Sequence, residues 1–451
     1  MRSMKKELAW KKRSFEEVEG LSSAYISFLN RCKTERECVK EIKRIAEENG
    51  FVDIEKIDHL KDGDKVYSIN RSKDIVLTIA GEMSRGLRVI ASHIDSPRLD
   101  LKQNPLYEDE KLVLLETHYY GGVRKYQWVG IPLALHGIVI TKEGKTIDIV
   151  IGESDGDGTF TIADLPPHLG KKQNELKLSE AITGESLDLL AGNSVLEKGG
   201  EKEKEEAKEK VLEVLNERYG IAEEDFVRAE IEVVPAINAR PVGFDKSMVG
   251  GYGQDDRMCA FASLQAIKEV EKGPIMALFV DKEEIGSDGA TGMNSVFFEN
   301  FVSDLIDKSE SDIKLRNVLS SSKAISADGT AGVTPNYKDV QELKNASKIG
   351  YGVSIEKFTG SGGKYGASDA SAEYVAEVIS IFERNGVNWQ SGEIGKVDMG
   401  GGGTVAKFLA KYNMDVLDVG PALLGMHSPF EVSSKVDLYE TYRGYLAFLR
   451  G

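Results

Sequence analysis

Two histidines and four carboxylates stand where apolar segments run out: His93, Asp255, Glu283, Glu284, Asp328 and His427. His93 lies in Ala91-Ser92-His93-Ile94-Asp95 and His427 in Gly425-Met426-His427-Ser428-Pro429. Asp255 sits in Gly253-Gln254-Asp255-Asp256-Arg257, Glu283 and Glu284 follow the apolar run that ends at Val280, and Asp328 follows Ala324-Ile325-Ser326-Ala327. A lone histidine in such a place is usually a hydrogen-bonded structural residue, and a lone acid is usually a helix cap or a surface charge. The coincidence of several is harder to explain in that way, because carboxylates at the end of a buried strand are costly unless paired or bound to a cation. Imidazole and carboxylate together suit zinc, cobalt or manganese, whereas calcium or magnesium sites are built from oxygen alone. A dinuclear metal site fits this residue set.

The elements that must position these groups alternate along the chain. Apolar residues at helical spacing over Phe15 to Asn49 predict two helices, the second opened by a Thr34/Glu37 capping box. Strand-like runs follow at Asp74 to Ala80 and Leu87 to Ser92, the latter leading directly into His93. A polar cluster at a strand end is where open α/β sheets place their sites. Between about Leu101 and Ile237 the texture becomes short alternating strands (Lys111 to Thr117, Ile138 to Ile140, Thr146 to Ile151, Phe226 to Val234). Within this stretch, Glu197 to Lys210 predicts a solvated linker and the first turns of a helix reaching Tyr219. After Asn238 the α/β texture returns, with a helix over Ala260 to Val270, an apolar strand of the parallel-sheet type over Ile275 to Asp281, a helix over Ser368 to Arg384, a strand over Met414 to Val419 and a terminal helix over Val436 to Leu449. The fold class is therefore α/β: a discontinuous domain of residues 1–100 and 238–451, split by a β-rich insertion of residues 101–237.

Bulk properties narrow the function. With 451 residues, two domains are expected. The apolar runs are strand-sized, far short of the ~20 residues of a membrane helix. The basic start Met1 to Lys6 is followed by Glu7 and Trp10 rather than an unbroken apolar segment, which argues against a secretion signal. Cys32, Cys38 and Cys259 form no CxxC pair, so neither a disulfide framework nor a zinc ribbon is supported, and a reducing cytoplasm is expected. A formal charge of −16 disfavours nucleic acid and favours small or peptide substrates. The glycine run Gly400 to Gly403 is not a GxGxxG after a strand, so nucleotide binding is unsupported.

Taken with Pro335-Asn336-Tyr337, the segments Ser92-His93-Ile94-Asp95-Ser96-Pro97, Gly253 to Arg257, Asp281 to Ser287, Ser326-Ala327-Asp328 and Gly425 to Ser428 resemble the M18 metallopeptidases, the aspartyl aminopeptidase family, in the family's order and over most of the chain. The resemblance implies an α/β zinc-peptidase domain with an inserted dimerisation domain, and an aminopeptidase acting on peptides with a free N-terminus. It implies two divalent ions, zinc foremost, one held by His93, Asp255 and Asp328 and the other by Asp255, Glu284 and His427. Glu283 becomes the general base, and Asp95 holds the second nitrogen of His93. The resemblance further places His168, in Pro166-Pro167-His168-Leu169, near a neighbouring subunit's site, as a metal ligand or a residue of the surrounding shell, and puts Lys364 and Tyr365 on the substrate side. Read from its residues alone, the Pro-Pro-His segment is an ordinary surface loop. The assembly implied is a homo-oligomer, a tetrahedral dodecamer in the family.

Two segments depart from the family pattern. Thr334 stands where the family has a histidine before Pro-Asn-Tyr, and Gly121 to Trp128 where it has a Trp-Phe-Asp-Arg segment. Both lie near substrate or subunit contacts in the family, so the preferred N-terminal residue, acidic or neutral, stays open. A related dinuclear amidohydrolase, a deacetylase or carboxypeptidase, is the alternative enzyme, separated by its action on acetyl-blocked substrates. A non-catalytic, metal-stabilised assembly protein is the alternative outside catalysis, and retention of Glu283, which the resemblance keeps off the metals, speaks against it.

Overall fold

The computed structural model describes residues 7–195 and 206–451; Met1 to Lys6 and the linker portion of Glu197 to Lys210 up to residue 205 lie outside the described residues. By internal contacts the chain forms two compact units, one of Met1–Ser96, Ala239–Met426 and Phe430–Gly451, the other of Pro97–Asn238 and His427–Pro429.

The first unit is built on a nine-stranded sheet in the order Val52–Asp53, Lys65–Asn70, Asp74–Ile79, Ile275–Val280, Arg88–His93, Lys323–Ser326, Asp415–Gly420, Val353–Glu356 and Trp389–Ser391. The four strands from Ile275–Val280 to Asp415–Gly420 run parallel, so their C-terminal ends share one edge. Successive side chains of a strand point to opposite faces, and both faces here are covered. Ile275, Ala277 and Phe279 join a core with Tyr25, Ile42 and Phe261, while Met276, Leu278 and Val280 join another with Phe298, Phe301 and Leu305. Burial on both faces explains the unbroken apolar run. The sheet is mixed rather than purely parallel, because Asp74–Ile79 pairs antiparallel with Ile275–Val280.

Local chemistry sets the helix ends. Helices Phe15–Arg31 and Glu35–Glu48 each begin in a capping box, Ser14 with Glu17 and Thr34 with Glu37. The helix expected from Ser368 begins at Ala372 instead, because Ser371 caps it by accepting the Tyr374 amide at 3.2 Å. Cys32, Cys38 and Cys259 are free and buried.

The second unit carries a six-stranded antiparallel sheet in the order Thr146–Ile151, Leu133–Ile140, Ala229–Pro235, Arg98–Asp109, Leu112–Tyr120 and Leu189–Gly192. The strand expected from Phe226 starts only at Ala229: residues Glu223–Arg228 form a 3-10 helix, closed by Asp225 accepting the Ala222 amide at 2.9 Å and pairing with Arg228 at 2.6 Å. Helix Glu206–Tyr219 starts on the Glu108 carboxylate, which accepts the Ala207 and Lys208 amides at 3.0 and 2.9 Å, a favourable charge at a helix N-terminus. Among the described residues no helix is long and apolar enough to cross a membrane.

One buried pair makes stability depend on pH. Glu356 and Asp418 face each other across adjacent antiparallel strands, and both are buried. Burial, reinforced by Asp418, pushes Glu356 up to about 8, and burial pushes Asp418 up to about 6. Unfolded carboxyls titrate near about 4, so above that pH the folded state retains protons that the unfolded chain has released, and stability falls as pH rises toward about 8. In Glu356→Gln the side-chain carbonyl can still accept the Thr330 hydroxyl. We expect this variant to flatten the loss of stability between about pH 5 and pH 8, read from urea midpoints; a slope identical to the parent's would assign the effect elsewhere.

Candidate metal centre

The C-terminal edge of the parallel strands gathers the acidic and imidazole groups of the first unit. His93 ends its strand, and Glu283 and Glu284 lie in a 3-10 turn three residues beyond Val280. Asp328 lies two residues beyond strand Lys323–Ser326. Asp255 and Asp256 open helix Gln254–Lys268 with non-helical backbone, φ/ψ −84°/106° and −119°/30°.

Geometry draws these residues together around the His93 imidazole. Its Nε2 lies 3.3 Å from Asp255 Oδ1, 3.8 Å from Asp328 Oδ1 and 4.0 Å from Glu283 Oε2. Two sets of ligand atoms, His93 with Asp255 and Glu284, and His93 with Asp256 and Asp328, each fall within 4.8 Å of one another. On the other side of the ring, Nδ1 lies 3.1 Å from the Asp95 carbonyl and 3.3 Å from its carboxylate. A proton held on Nδ1 leaves the Nε2 lone pair facing the acids. The Asp95 carboxylate also accepts the amides of Glu283 and Glu284 at 3.1 and 3.2 Å, so one side chain orients the imidazole and the glutamate turn.

The supporting shell is dense. Gly253 adopts φ +69°, and a Cβ there would fall 1.8 Å from Arg257 Nη1, so only glycine fits this turn. Glu431 accepts the amides of Gln254 and Asp255 at 2.5 and 3.2 Å, and the Ser96 hydroxyl donates to the Asp255 carbonyl at 2.8 Å. At Gly420 a Cβ would meet the Asp328 carbonyl at 1.8 Å, so the strand end there must stay bare. Burial raises Asp256 and Asp328 well above the usual carboxylate range, and neighbouring Asp255 adds to both. Burial disfavours the charged form of His93, but Asp255 and Asp95 outweigh it and hold the ring well above its ordinary value. Such a cluster of crowded carboxylates around one imidazole favours a bound cation. One imidazole nitrogen with several carboxylate oxygens is a donor set suited to zinc, cobalt or manganese.

His427 belongs to the second unit, where its Nδ1 lies 3.0 Å from the Gly122 carbonyl, an arrangement that directs the other nitrogen elsewhere. His168 sits in an exposed turn of that unit. Neither appears among the metal-capable groups of the described residues. Lys364 lies over the Phe358 ring at 4.1 Å and pairs with Asp369 at 3.1 Å, beside the 80% exposed Tyr365. Lys364 lines a recess of about 320 Å³ with Phe358, Thr359, Glu393 and Val397.

The sequence reading gave no separate role to Asp256 or Glu431. Asp256 is the second acid of an adjacent pair, and only the backbone of the helix start turns it toward His93. Glu431 acts across 177 residues on Gln254, with no local pattern to announce it.

A family model described as aminopeptidase I zinc metalloprotease (M18) matches residues 28–449. The chain is 49% identical over 454 residues to "Probable M18 family aminopeptidase 1" of Clostridium acetobutylicum, covering 98% of this chain and 97% of that one. The crystal structure of an M18-family aminopeptidase from Thermotoga maritima superposes with a TM-score of 0.95 at 48% identity, covering 99% of both chains. At the level of fold, the S. cerevisiae mApe1 dodecamer superposes with a TM-score of 0.77 at 19% identity, covering 96% of this chain and 97% of that one.

Proposed function

The chain belongs to the M18 family of zinc aminopeptidases, and from that premise we propose that it removes the N-terminal residue of peptides at a site for two divalent ions, with Glu283 as general base. The observation that carries this reading is the convergence of His93 Nε2, at the end of its own strand, with carboxylates from two other strand ends and a helix start.

His93, Asp255 and Asp328 are the proposed ligands of one ion, and Asp255, Glu284 and His427 those of the other. When bound, the ions supply Lewis acidity toward the scissile carbonyl and acidify the attacking water. Asp95 fixes the His93 ring and the amides of the glutamate turn, so ligand and base keep one relative placement. Glu283 takes the proton of the attacking water and delivers it to the departing peptide nitrogen. Lys364 and Tyr365 are proposed to line the substrate side.

The second unit is proposed to mediate homo-oligomerisation, with His168 reaching a neighbour's site. Four exposed leucines close to His168 in sequence support this: Leu165, Leu169, Leu176 and Leu178, each at least half exposed. So does the dodecamer among its structural relatives. Buried free cysteines suit the reducing cytoplasm as its compartment.

A panel of aminoacyl-arylamides tests the reaction. Hydrolysis is expected of free-amine substrates with zinc, cobalt or manganese present, and the panel's order of rates reads the preferred N-terminal residue. Equal hydrolysis of acetyl-blocked substrates would refute an aminopeptidase, and full activity in a monomer by light scattering would refute the shared site.

A further inference from the structure

The loop of residues 281–292 carries Glu283 and Glu284 without the support of a strand ladder. Lys282, Gly286, Ser287, Gly289 and Gly292 all have φ between 62° and 129°, so the backbone turns repeatedly through the left-handed region. Its two ends lie against one another: a Cβ on Gly292 would meet the Asp281 carbonyl at 2.7 Å. Within the loop, the Asp281 carboxylate accepts the Thr291 hydroxyl at 2.7 Å and the Lys282 ammonium at 2.5 Å.

Both ends are also tied from outside by one buried side chain. Asp74 is fully buried at the start of strand Asp74–Ile79, and its Oδ1 accepts the amide of Asp281 at 2.9 Å and that of Gly292 at 3.1 Å. The Asn70 amide group donates to Asp74 Oδ2 at 2.7 Å and to the Ala290 carbonyl at 2.8 Å. Asn70 and Asp74 face each other across the tip of a β-hairpin whose Arg71 and Ser72, at φ 52° and 57°, make a tight turn of the kind that suits twisted strands. Lys73 of the tip pairs with Glu35 at 2.9 Å, anchoring it to helix Glu35–Glu48.

We propose that this hairpin tip is a clasp for the catalytic-glutamate loop, and that Asp74 is a positioning residue acting through Asp281 and Gly292 by accepting hydrogen bonds rather than by its charge. The proposal rests on the assignment of Glu283 as base and Glu284 as ligand. A buried amide left without its acceptor costs free energy comparable to a lost hydrogen bond, so removing Asp74 loosens both ends of the loop at once. Burial pushes the Asp74 carboxyl up to about 6, in keeping with a role that a neutral acceptor can fill.

The test compares Asp74→Ala with Asp74→Asn, which keeps a carbonyl oxygen. In Asp74→Ala, kcat is expected to fall by about 10- to 100-fold with KM nearly unchanged, as for other residues that orient a reacting group through a second one. Hydrogen exchange of the amides in residues 282–291 should accelerate, while exchange in strand Arg88–His93 should not change. Asp74→Asn keeps an acceptor for the Asp281 and Gly292 amides but loses that for the Asn70 side chain, so it should restore a substantial part of kcat and of the loop's protection relative to alanine. Unchanged exchange of the loop in Asp74→Ala, or an asparagine variant as impaired as alanine, would overturn the proposal. If Asp74→Ala fails to fold, Asn70→Ala removes the Ala290 tie and should give a smaller change of the same kind, and its absence would also overturn the proposal. The exchange measurement reads the clasp even if Glu283→Gln remains active, so failure of the base assignment and failure of the clasp are distinguishable.

Discussion

Glu283→Gln should lower kcat by about two to four orders of magnitude, the usual worth of a positioned general base, with bound metal unchanged. The substitution keeps the shape of the side chain and removes its ability to take a proton. Its expected specificity comes from the division of labour in the turn. Glu284 belongs to a metal-capable group with His93 and Asp255, whereas Glu283, with Oε2 4.0 Å from His93 Nε2, belongs to neither such group of the described residues. Both backbone amides remain tied to Asp95, so the turn should hold its place in the variant. The loss should appear in kcat and kcat/KM together, the pattern of an interaction made only in the transition state. Metal analysis with steady-state kinetics decides the matter. A variant with full metal content and most of its activity would reassign the base.

The split between what was legible and what was not has a physical origin. His93, Glu284 and Asp328 could be singled out as candidates because each stands at or just beyond the end of an apolar strand whose pattern is local, and a charged group placed there has few inexpensive explanations. Asp255 could be singled out as a candidate for a related reason, as an acid just before a helix pattern. The same locality explains the two-faced sheet, since the run Ile275–Val280 must be buried on both sides. Asp256 was hidden because its role depends on non-helical backbone at the helix start, which adjacent acids do not encode. Glu431 and Asp74 were hidden because their partners are backbone amides 176 to 218 residues away, and an amide carries no residue identity to be recognised. Element ends moved where a cap outweighed the apolar pattern, as at Ser371, and where a charged 3-10 turn displaced a strand start, as at Asp225. The long strand Arg98–Asp109 escaped notice because polar residues around its bulge, between Leu101 and Leu106, interrupt the two-residue alternation.

Exhaustive chelation should abolish activity and added zinc, cobalt or manganese should restore it, the second large effect expected of this chain. Without a cation the centre places the Asp255 and Asp328 carboxylates within 3.3 and 3.8 Å of the same imidazole nitrogen, and a single ring cannot offset several crowded acids. Binding of divalent ions is therefore expected to stabilise the fold as well as enable the reaction, since ligand held by the folded state alone raises stability by mass action. The two histidines should separate under substitution. His93 is a proposed ligand of one ion and takes part in the metal-capable groups of the first unit, so His93→Ala should weaken that ion more than the other. His427, whose Nδ1 lies against the Gly122 carbonyl, is the proposed ligand of the other ion, and His427→Ala should weaken that ion more than the one proposed for His93. Metal content per chain, measured beside melting temperature and arylamide turnover, gives three independent readouts. Chelated protein with no detectable metal, an unchanged melting temperature and full turnover would end the metallopeptidase mechanism, and full metal content in either histidine variant would refute that residue's assignment as a ligand.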